Sequence, residues 1–153
     1  MQAKVSWVGG MRFVGSGDSG HGVLMESKMA DSPPVASSPM EVVLMALGGC
    51  SSVDVVDILR KMRQDLSSLE VTIKAERVKD PPRVFTKAEL EFVASGEGLT
   101  DAALQRAVGL SMDKYCSVSA TLTKGGTAVT YTARVKAKDA EEAHGPMPHG
   151  HQP

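Results

Sequence analysis

Alternating hydrophobic and polar positions near the N-terminus predict short strands, whereas the long apolar run that follows predicts a helix. The predicted strands cover 3–8, 11–15 and 21–27. From Val42 to Val56 the only charged residue is Asp54, so the helix predicted over about 39–63 is apolar on nearly all its faces. A helix of this kind belongs in a protein core.

The start and the middle of this helix carry distinct signals. Ser38 and Glu41 have the spacing of a capping box, in which each residue's side chain accepts the other residue's backbone N–H. Gly48 and Gly49 lie in the helix interior, where each glycine costs about 1 kcal/mol relative to alanine. We therefore expect another element to approach the helix closely at this point, beside Cys50.

The second half of the chain returns to alternation with a period of two, interrupted by one helical pattern. The strands predicted there begin near 69, 88, 118 and 129, and the second helix is predicted over about 101–114. The resulting order, β(2–3)-α-β-β-α-β-β, predicts an α+β domain with antiparallel sheets around a buried central helix. This single domain is expected to cover residues 1–138.

The last residues, 139–153, form a polar tail that we expect to be flexible. The tail contains Pro146 and Pro148, together with His144, His149 and His151. Histidines spaced in this way in an unstructured tail do not hold a metal geometry, so no metal site is predicted. The chain also lacks the glycine spacing of a phosphate-binding or dinucleotide-binding loop, and no organic cofactor is predicted.

Composition limits the expected partners. The net charge is −1 and aromatic residues make up 4% of the chain, which leaves neither a basic field nor stacking platforms for nucleic acid. The N-terminal residues lack the apolar run of a secretion signal, and the apolar run at 42–47 is too short to span a bilayer. We therefore expect a cytoplasmic protein without nucleic-acid or membrane partners.

The two cysteines, Cys50 and Cys116, are the main candidates for chemistry. One interpretation makes both of them small core side chains, since free cysteine is among the most buried residue types. The other makes them a redox pair, in which one thiolate reduces a peroxide to form a sulfenic acid and the second thiol closes a disulfide. Such a thiolate needs a nearby arginine or a helix N-terminus to stabilise it. Spacing in the sequence does not decide between these interpretations.

Three stretches of the chain resemble the OsmC/Ohr family of osmotically inducible and organic-hydroperoxide-resistance proteins, in its OsmC-like branch. The stretches are Ser38 to Ser51, Pro81 to Phe92, and Lys114 to Val118, and the resemblance extends over residues 3–137. It implies an intertwined homodimer with two active sites at the subunit interface. It also implies thiol-dependent reduction of organic hydroperoxides, with no resident cofactor and with an external, lipoyl-type dithiol as reductant.

The same resemblance implies the roles of individual residues. Cys50 would be the peroxidatic cysteine and Cys116 the resolving one. The family's site also has an arginine from the N-terminal hairpin, for which Arg12 is the candidate, and a glutamate directly after the proline that starts the helix. This chain has Met40 at that position. Glu41 is one residue further on, rotated by about 100° around the helix, which favours its role in the capping box.

The leading hypothesis is accordingly a homodimeric cysteine-based hydroperoxide reductase that acts in oxidative stress defence. The apolar character of residues 42–47 favours alkyl hydroperoxides over hydrogen peroxide. Two alternatives keep the fold and lose the efficient activity. One is a protein that binds an apolar ligand without chemistry, and the other is a redox sensor that forms the same disulfide but turns over slowly. The departure at Met40 supports the first of these alternatives.

Overall fold

The structure is a computed structural model that describes residues 1–28 and 33–136. Its strands are β1 (Ala3–Trp7), β2 (Arg12–Gly17), β3 (Gly22–Glu26), β4 (Ser68–Arg77), β5 (Phe85–Ser95) and β6 (Ala128–Val135). Its helices are α1 (Pro39–Lys61), α2 (Asp101–Leu110) and α3 (Ser117–Lys124), with a π-helical turn at Ser111–Tyr115. The fold is α+β, as predicted. The predicted tail, 139–153, lies outside the described residues.

The first three strands form an antiparallel sheet, here called the N-terminal sheet, in the order β1-β2-β3. Its main connection to the rest of the chain runs from β3 to the segment before α1, where Met25 pairs with Ser37. Several large apolar side chains of the sheet and its turns are exposed, namely Val5, Trp7, Val8, Met11, Val23 and Leu24. The single chain therefore leaves much of this sheet's apolar surface uncovered.

Helix α1 begins with the predicted capping box. The Ser38 hydroxyl accepts the Glu41 N–H, and the Glu41 carboxylate accepts the Ser38 N–H. The helix ends at Lys61, two residues before the predicted end. Arg63 adopts the left-handed backbone conformation, with a φ of 55°, and this conformation stops a helix.

Burial along α1 is confined to one stripe. The buried residues are Leu47, Gly48, Ser51, Val55 and Leu59, most of them four residues apart. On other faces of the helix, Met45, Val53 and Val56 are exposed. The prediction of a helix buried on nearly all faces is therefore wrong for the single chain, in which a second apolar face remains open.

Helix α1 also has the length and composition of a membrane-spanning segment, with 23 residues that include an 18-residue stretch whose mean hydropathy is 1.9. The six-residue apolar run at 42–47 is thus part of an apolar helix that is much longer than the run. Helices α2 and α3 and strand β4 contact α1 within the domain. Because core helices of globular domains have the same length and composition, these properties alone do not place the chain in a bilayer.

The second sheet has the order β4-β5-β6, and β5 lies at its centre. Ala88, Leu90, Phe92 and Ala94 of β5 are buried, while Glu89 and Glu91 alternate with them on the exposed face. The alternation read from the sequence therefore identifies the correct face of this strand. Helix α1 contacts β4, and helices α2 and α3 contact β6, so the three helices enclose the core against the sheet.

Two predictions for the C-terminal part are wrong. The segment predicted as a strand around 118–122 is helix α3, and strand β6 pairs with β5 in parallel, so this sheet is mixed and not antiparallel. Val118 and Leu122 pack against the core four residues apart, a spacing that suits a helix as well as a strand. Because the chain crosses over through α2 and α3, it returns to the sheet in the direction of β5.

Candidate functional site

Cys50 lies in the middle of α1 and is half-buried. The expected close approach occurs at Gly48, where a Cβ atom would lie 3.0 Å from Cδ1 of Ile73 on β4. No heavy atom lies within 4 Å of the corresponding position at Gly49. The first glycine thus allows β4 to pack closely against α1, on the side of the helix away from Cys50, and the second leaves open space.

Cys116 lies where the π-helical turn ends and α3 begins. Its N–H donates to the Ser111 carbonyl at 2.7 Å, which closes the π-type turn, and its sulfur accepts the Ser119 N–H at 3.4 Å as the N-cap of α3. The side chain is 2% exposed. The change from one helix to the next therefore fixes the backbone on both sides of this thiol.

The fold brings the two cysteines together, although they are 66 positions apart in the sequence. Both thiols are free, and Cys50 lies near enough to Cys116 to contribute to raising its pKa. Burial is the main cause that raises the pKa of Cys116 to about 11, the Ser119 N–H acts in the opposite direction, and Cys50 adds to the increase. Cys116 is therefore a protonated thiol at neutral pH, held against a half-buried thiol that solvent can reach.

A buried polar network lies behind this pair. The Ser111 hydroxyl lies 3.1 Å from the Ser51 carbonyl oxygen and 3.1 Å from Oδ2 of Asp54, both on α1. The Ser51 hydroxyl donates within α1, to the carbonyls of Leu47 and Gly48. Sequence reasoning missed Ser111. Its available signal was a serine at a core-facing position of α2's helical pattern, three residues after buried Val108.

An apolar cleft of about 460 Å³ opens beside α1. Its lining residues are Glu41, Leu44, Met45, Gly48, Gly49, Ser52, Val71 and Ile73. Except for Glu41 and Ser52, these residues are apolar. The cleft has the character of a binding site for a small apolar group. Cys50 is not among its lining residues, which lie on the side of α1 away from that thiol.

The structure places Glu41 and Arg12 away from the cysteine pair. Glu41 is nine residues before Cys50 on the helix, or about 14 Å along its axis. The hydrogen bonds from Ser38 lower the pKa of Glu41, which agrees with the capping role. Nε of Arg12 lies 3.6 Å from Oε1 of Glu26, the residue opposite it in the N-terminal sheet. Within the described part of a single chain, neither side chain hydrogen-bonds a cysteine.

Histidines and metal ligands contribute nothing further to the described site. His21 is an exposed residue whose Nδ1 lies 3.0 Å from the Ser19 carbonyl oxygen in the loop before β3. Within 1–28 and 33–136, no group of three or more histidine, cysteine, aspartate or glutamate side chains could hold a metal ion. The tail histidines lie outside these ranges.

Comparisons with known proteins agree on one family. Residues 31–132 match the family model described as OsmC-like protein. Protein YhfA of Escherichia coli strain K12 is 52% identical over 124 residues, which cover 81% of this chain and 90% of that protein. Protein YhfA of Shigella flexneri matches to the same extent.

Solved structures show the same relationship. One structure, described as "structural genomics", is 48% identical with a TM-score of 0.78, and the match covers 88% of this chain and 98% of that one. The organic hydroperoxide resistance protein OhrB of Bacillus subtilis has a TM-score of 0.60 at 17% identity, over 88% of this chain and 98% of its own. At that identity the second match shows a shared fold.

Proposed function

Because the chain belongs to the OsmC-like protein family, we propose that it reduces organic hydroperoxides through a two-cysteine cycle. The resemblance drawn from the sequence is confirmed at the level of the family and the α+β fold. The observation that carries the proposal is the proximity of Cys50 to Cys116, which contributes to the raised pKa of Cys116. The shared fold with a protein named for organic hydroperoxide resistance adds support.

In the first step, the thiolate of Cys50 attacks the distal oxygen of the hydroperoxide. The sulfur–oxygen bond forms as the oxygen–oxygen bond breaks, and the alkoxide leaves and takes up a proton to become an alcohol. Sulfur is oxidised to a sulfenic acid, and the peroxide is reduced by two electrons. Cys50 suits this role better than Cys116 because it is the more exposed of the two thiols.

In the second step, the thiolate of Cys116 attacks the sulfenic sulfur of Cys50. The disulfide forms as hydroxide leaves, and hydroxide takes up a proton to become water. An external dithiol then reduces the disulfide by exchange and is itself oxidised to a disulfide, which restores both thiols. For one hydroperoxide and one dithiol, the cycle gives one alcohol, one water and one oxidised dithiol. It requires no metal or organic cofactor.

The high pKa of Cys116 gives the second step a pH dependence. Below a pKa of about 11, the thiolate fraction of Cys116 rises about tenfold per pH unit. We therefore expect the rate of disulfide closure after one equivalent of cumene hydroperoxide to rise about tenfold per unit between about pH 7 and 9. Rapid quenching, alkylation of the remaining thiols and mass spectrometry measure this rate. A closure rate that does not change over this range would contradict the proposed role of Cys116.

The apolar cleft suggests the class of substrate. Its lining offers side chains such as Leu44, Met45 and Ile73 to an alkyl group and few polar partners to hydrogen peroxide. We propose an alkyl hydroperoxide as the class of substrate, since the apolar surface of α1 favours an alkyl group. We further propose the cytoplasm as the compartment and oxidative stress defence as the setting, since two free thiols persist where the environment is reducing.

We also propose that two copies of the chain form an intertwined dimer. The N-terminal sheet makes few contacts with its own domain, and its apolar side chains are exposed, as is the second apolar face of α1. Exposed apolar surface of this extent marks an interaction site. In such a dimer, the sheet of one chain would lie on the helix of the other, which would give Arg12 a route to a cysteine that the single chain does not provide.

The dimer predicts a specific effect at Trp7, whose side chain is 67% exposed in the single chain. Wild-type protein is expected to have twice the mass of one chain by light scattering. The variant Trp7→Glu is expected to shift the population towards single chains, because a buried unpaired charge is strongly unfavourable. The matched control is Val84→Glu, which places the same charge on the connection between β4 and β5. A wild-type protein with the mass of one chain would refute the dimer.

A ligand-binding protein without chemistry is the second candidate, and the apolar cleft is the observation that favours it. Steady-state turnover separates the two functions. Wild-type protein with dihydrolipoamide should consume cumene or tert-butyl hydroperoxide continuously and should lose two free thiols per chain when the dithiol is omitted. Saturable binding of cumyl alcohol without peroxide consumption or thiol loss would favour the ligand-binding function and overturn the peroxidase.

A further inference from the structure

Ser111 connects the two elements that carry the cysteines. It is fully buried at the start of the π-helical turn. Its hydroxyl lies 3.1 Å from acceptors on two residues of α1, one and four positions after Cys50, and its carbonyl accepts the N–H of Cys116. A hydroxyl has one hydrogen to donate, so the Ser51 carbonyl and the Asp54 carboxylate share it. One residue thereby contacts α1 beside the first thiol and the backbone of the second.

We propose that Ser111 is a positioning residue for the disulfide step, which holds Cys116 close to Cys50. This inference rests on the proposed two-cysteine cycle and deepens it. The requirement is geometric, since a disulfide forms only within a narrow range of Cα separations and torsion angles. A small displacement of reacting groups lowers the rate of a reaction within one chain by large factors.

The π-helical turn explains why a hydrogen bond between this segment and α1 is needed. Such turns are rare, their hydrogen bonds span five residues, and they often occur at functional sites. The turn from Ser111 to Tyr115 sets the direction in which Cys116 leaves α2. Without the Ser111 hydroxyl, the Asp54 carboxylate loses the hydrogen bond that Ser111 donates to it. The π-helical turn then has no side-chain hydrogen bond from residue 111 to α1, the helix that carries Cys50.

The test measures the thiol–disulfide equilibrium of the full chain in glutathione redox buffers, by alkylation and mass spectrometry. For Ser111→Ala, we expect the effective concentration of the two thiols for each other to fall about tenfold relative to wild type. The control is Thr127→Val, which removes a buried hydroxyl donor to the Phe85 carbonyl at 3.0 Å, at the far end of α3 from Cys116. This control is expected to lower the melting temperature and to leave the equilibrium near that of wild type.

Two further variants separate positioning from general stability. Asp54→Asn retains an oxygen acceptor for the Ser111 hydroxyl and should keep the equilibrium near wild type. Asp54→Ala leaves only the Ser51 carbonyl as acceptor and should shift the equilibrium in the same direction as Ser111→Ala, but by less, which also provides a test if Ser111→Ala does not fold. An unchanged equilibrium in Ser111→Ala and Asp54→Ala would overturn the inference, as would an equal shift in Thr127→Val.

The glutathione measurement uses no peroxide, so it distinguishes this inference from the peroxidase proposal. If the wild-type protein does not consume hydroperoxides and Ser111→Ala still shifts the thiol–disulfide equilibrium, the peroxidase proposal is refuted. The role of Ser111 in positioning the two thiols for disulfide formation is then retained. If wild type turns over and the variants keep its equilibrium, the peroxidase stands and the role of Ser111 is refuted.

Discussion

Replacing Cys50 with serine is expected to lower the rate of hydroperoxide consumption at least about a thousandfold, to the level of buffer with dithiol alone. A serine hydroxyl at this position is not ionised at neutral pH and does not form the equivalent of a sulfenic acid. The neighbouring Cys116 cannot take over efficiently, because burial raises its pKa and limits its access to substrate. Initial rates with cumene hydroperoxide and dihydrolipoamide measure the effect.

The matched variant is Cys116→Ser, which keeps the attacking thiol and removes the one that closes the disulfide. This protein should reduce one equivalent of hydroperoxide per chain at nearly the wild-type rate and carry one added oxygen on Cys50 by mass spectrometry. It should then be oxidised further when peroxide is in excess, since no second thiol protects the sulfenic acid. Equal turnover by wild type and Cys50→Ser would exclude Cys50 as the peroxidatic residue.

Replacing Gly96 with alanine is expected to destabilise the fold by about 3 kcal/mol or more. A Cβ atom at this position would lie 1.7 Å from the backbone oxygen of Asp65, in the connection between α1 and β4. Backbone atoms cannot rotate away as the end of a side chain can, so the connection itself must move. Urea denaturation followed by far-ultraviolet circular dichroism gives the free energy of unfolding.

Gly49→Ala is the control for this substitution. The added methyl group at Gly49 meets no heavy atom within 4 Å, and alanine is the better helix former, so stability should rise by about 1 kcal/mol. The two glycine-to-alanine changes thus have opposite expected signs. Similar unfolding free energies for wild type and Gly96→Ala would show that the connection after α1 adapts, and that the close approach is not a constraint on the fold.

Local sequence patterns predict a helix or strand correctly where the pattern agrees with the packing of that segment in the fold. The capping box at Ser38 and Glu41 fixes the start of α1, and strict alternation identifies the buried face of β5. The failure around 118–122 has a physical cause, since apolar residues at every second position include a pair at helical spacing. The sulfur of Cys116 then acts as the N-cap of α3, a role that propensity does not assign to cysteine.

Some residues of the candidate site can also be identified from the sequence, whereas others can be identified only from the structure. Cys50 and Cys116 are identifiable as candidates because cysteine is rare in this chain, but their contact depends on the crossover through α2 and on the π-helical turn, which no local pattern indicates. Ser111 has no charge and no motif, so only its three-dimensional contacts single it out. Arg12 and Glu41 come from the family resemblance, and their catalytic roles stay predictions.

The sequence distance between the thiols links the redox state of the chain to its stability. A disulfide between Cys50 and Cys116 would close a covalent loop that contains all of β4, β5 and α2. Closing a loop of this size reduces the conformational entropy of the unfolded chain, which destabilises the unfolded state by about 4 kcal/mol at 25 °C. The oxidised protein would therefore be harder to unfold than the reduced one. Its lifetime would be longest under the peroxide load that produces the disulfide.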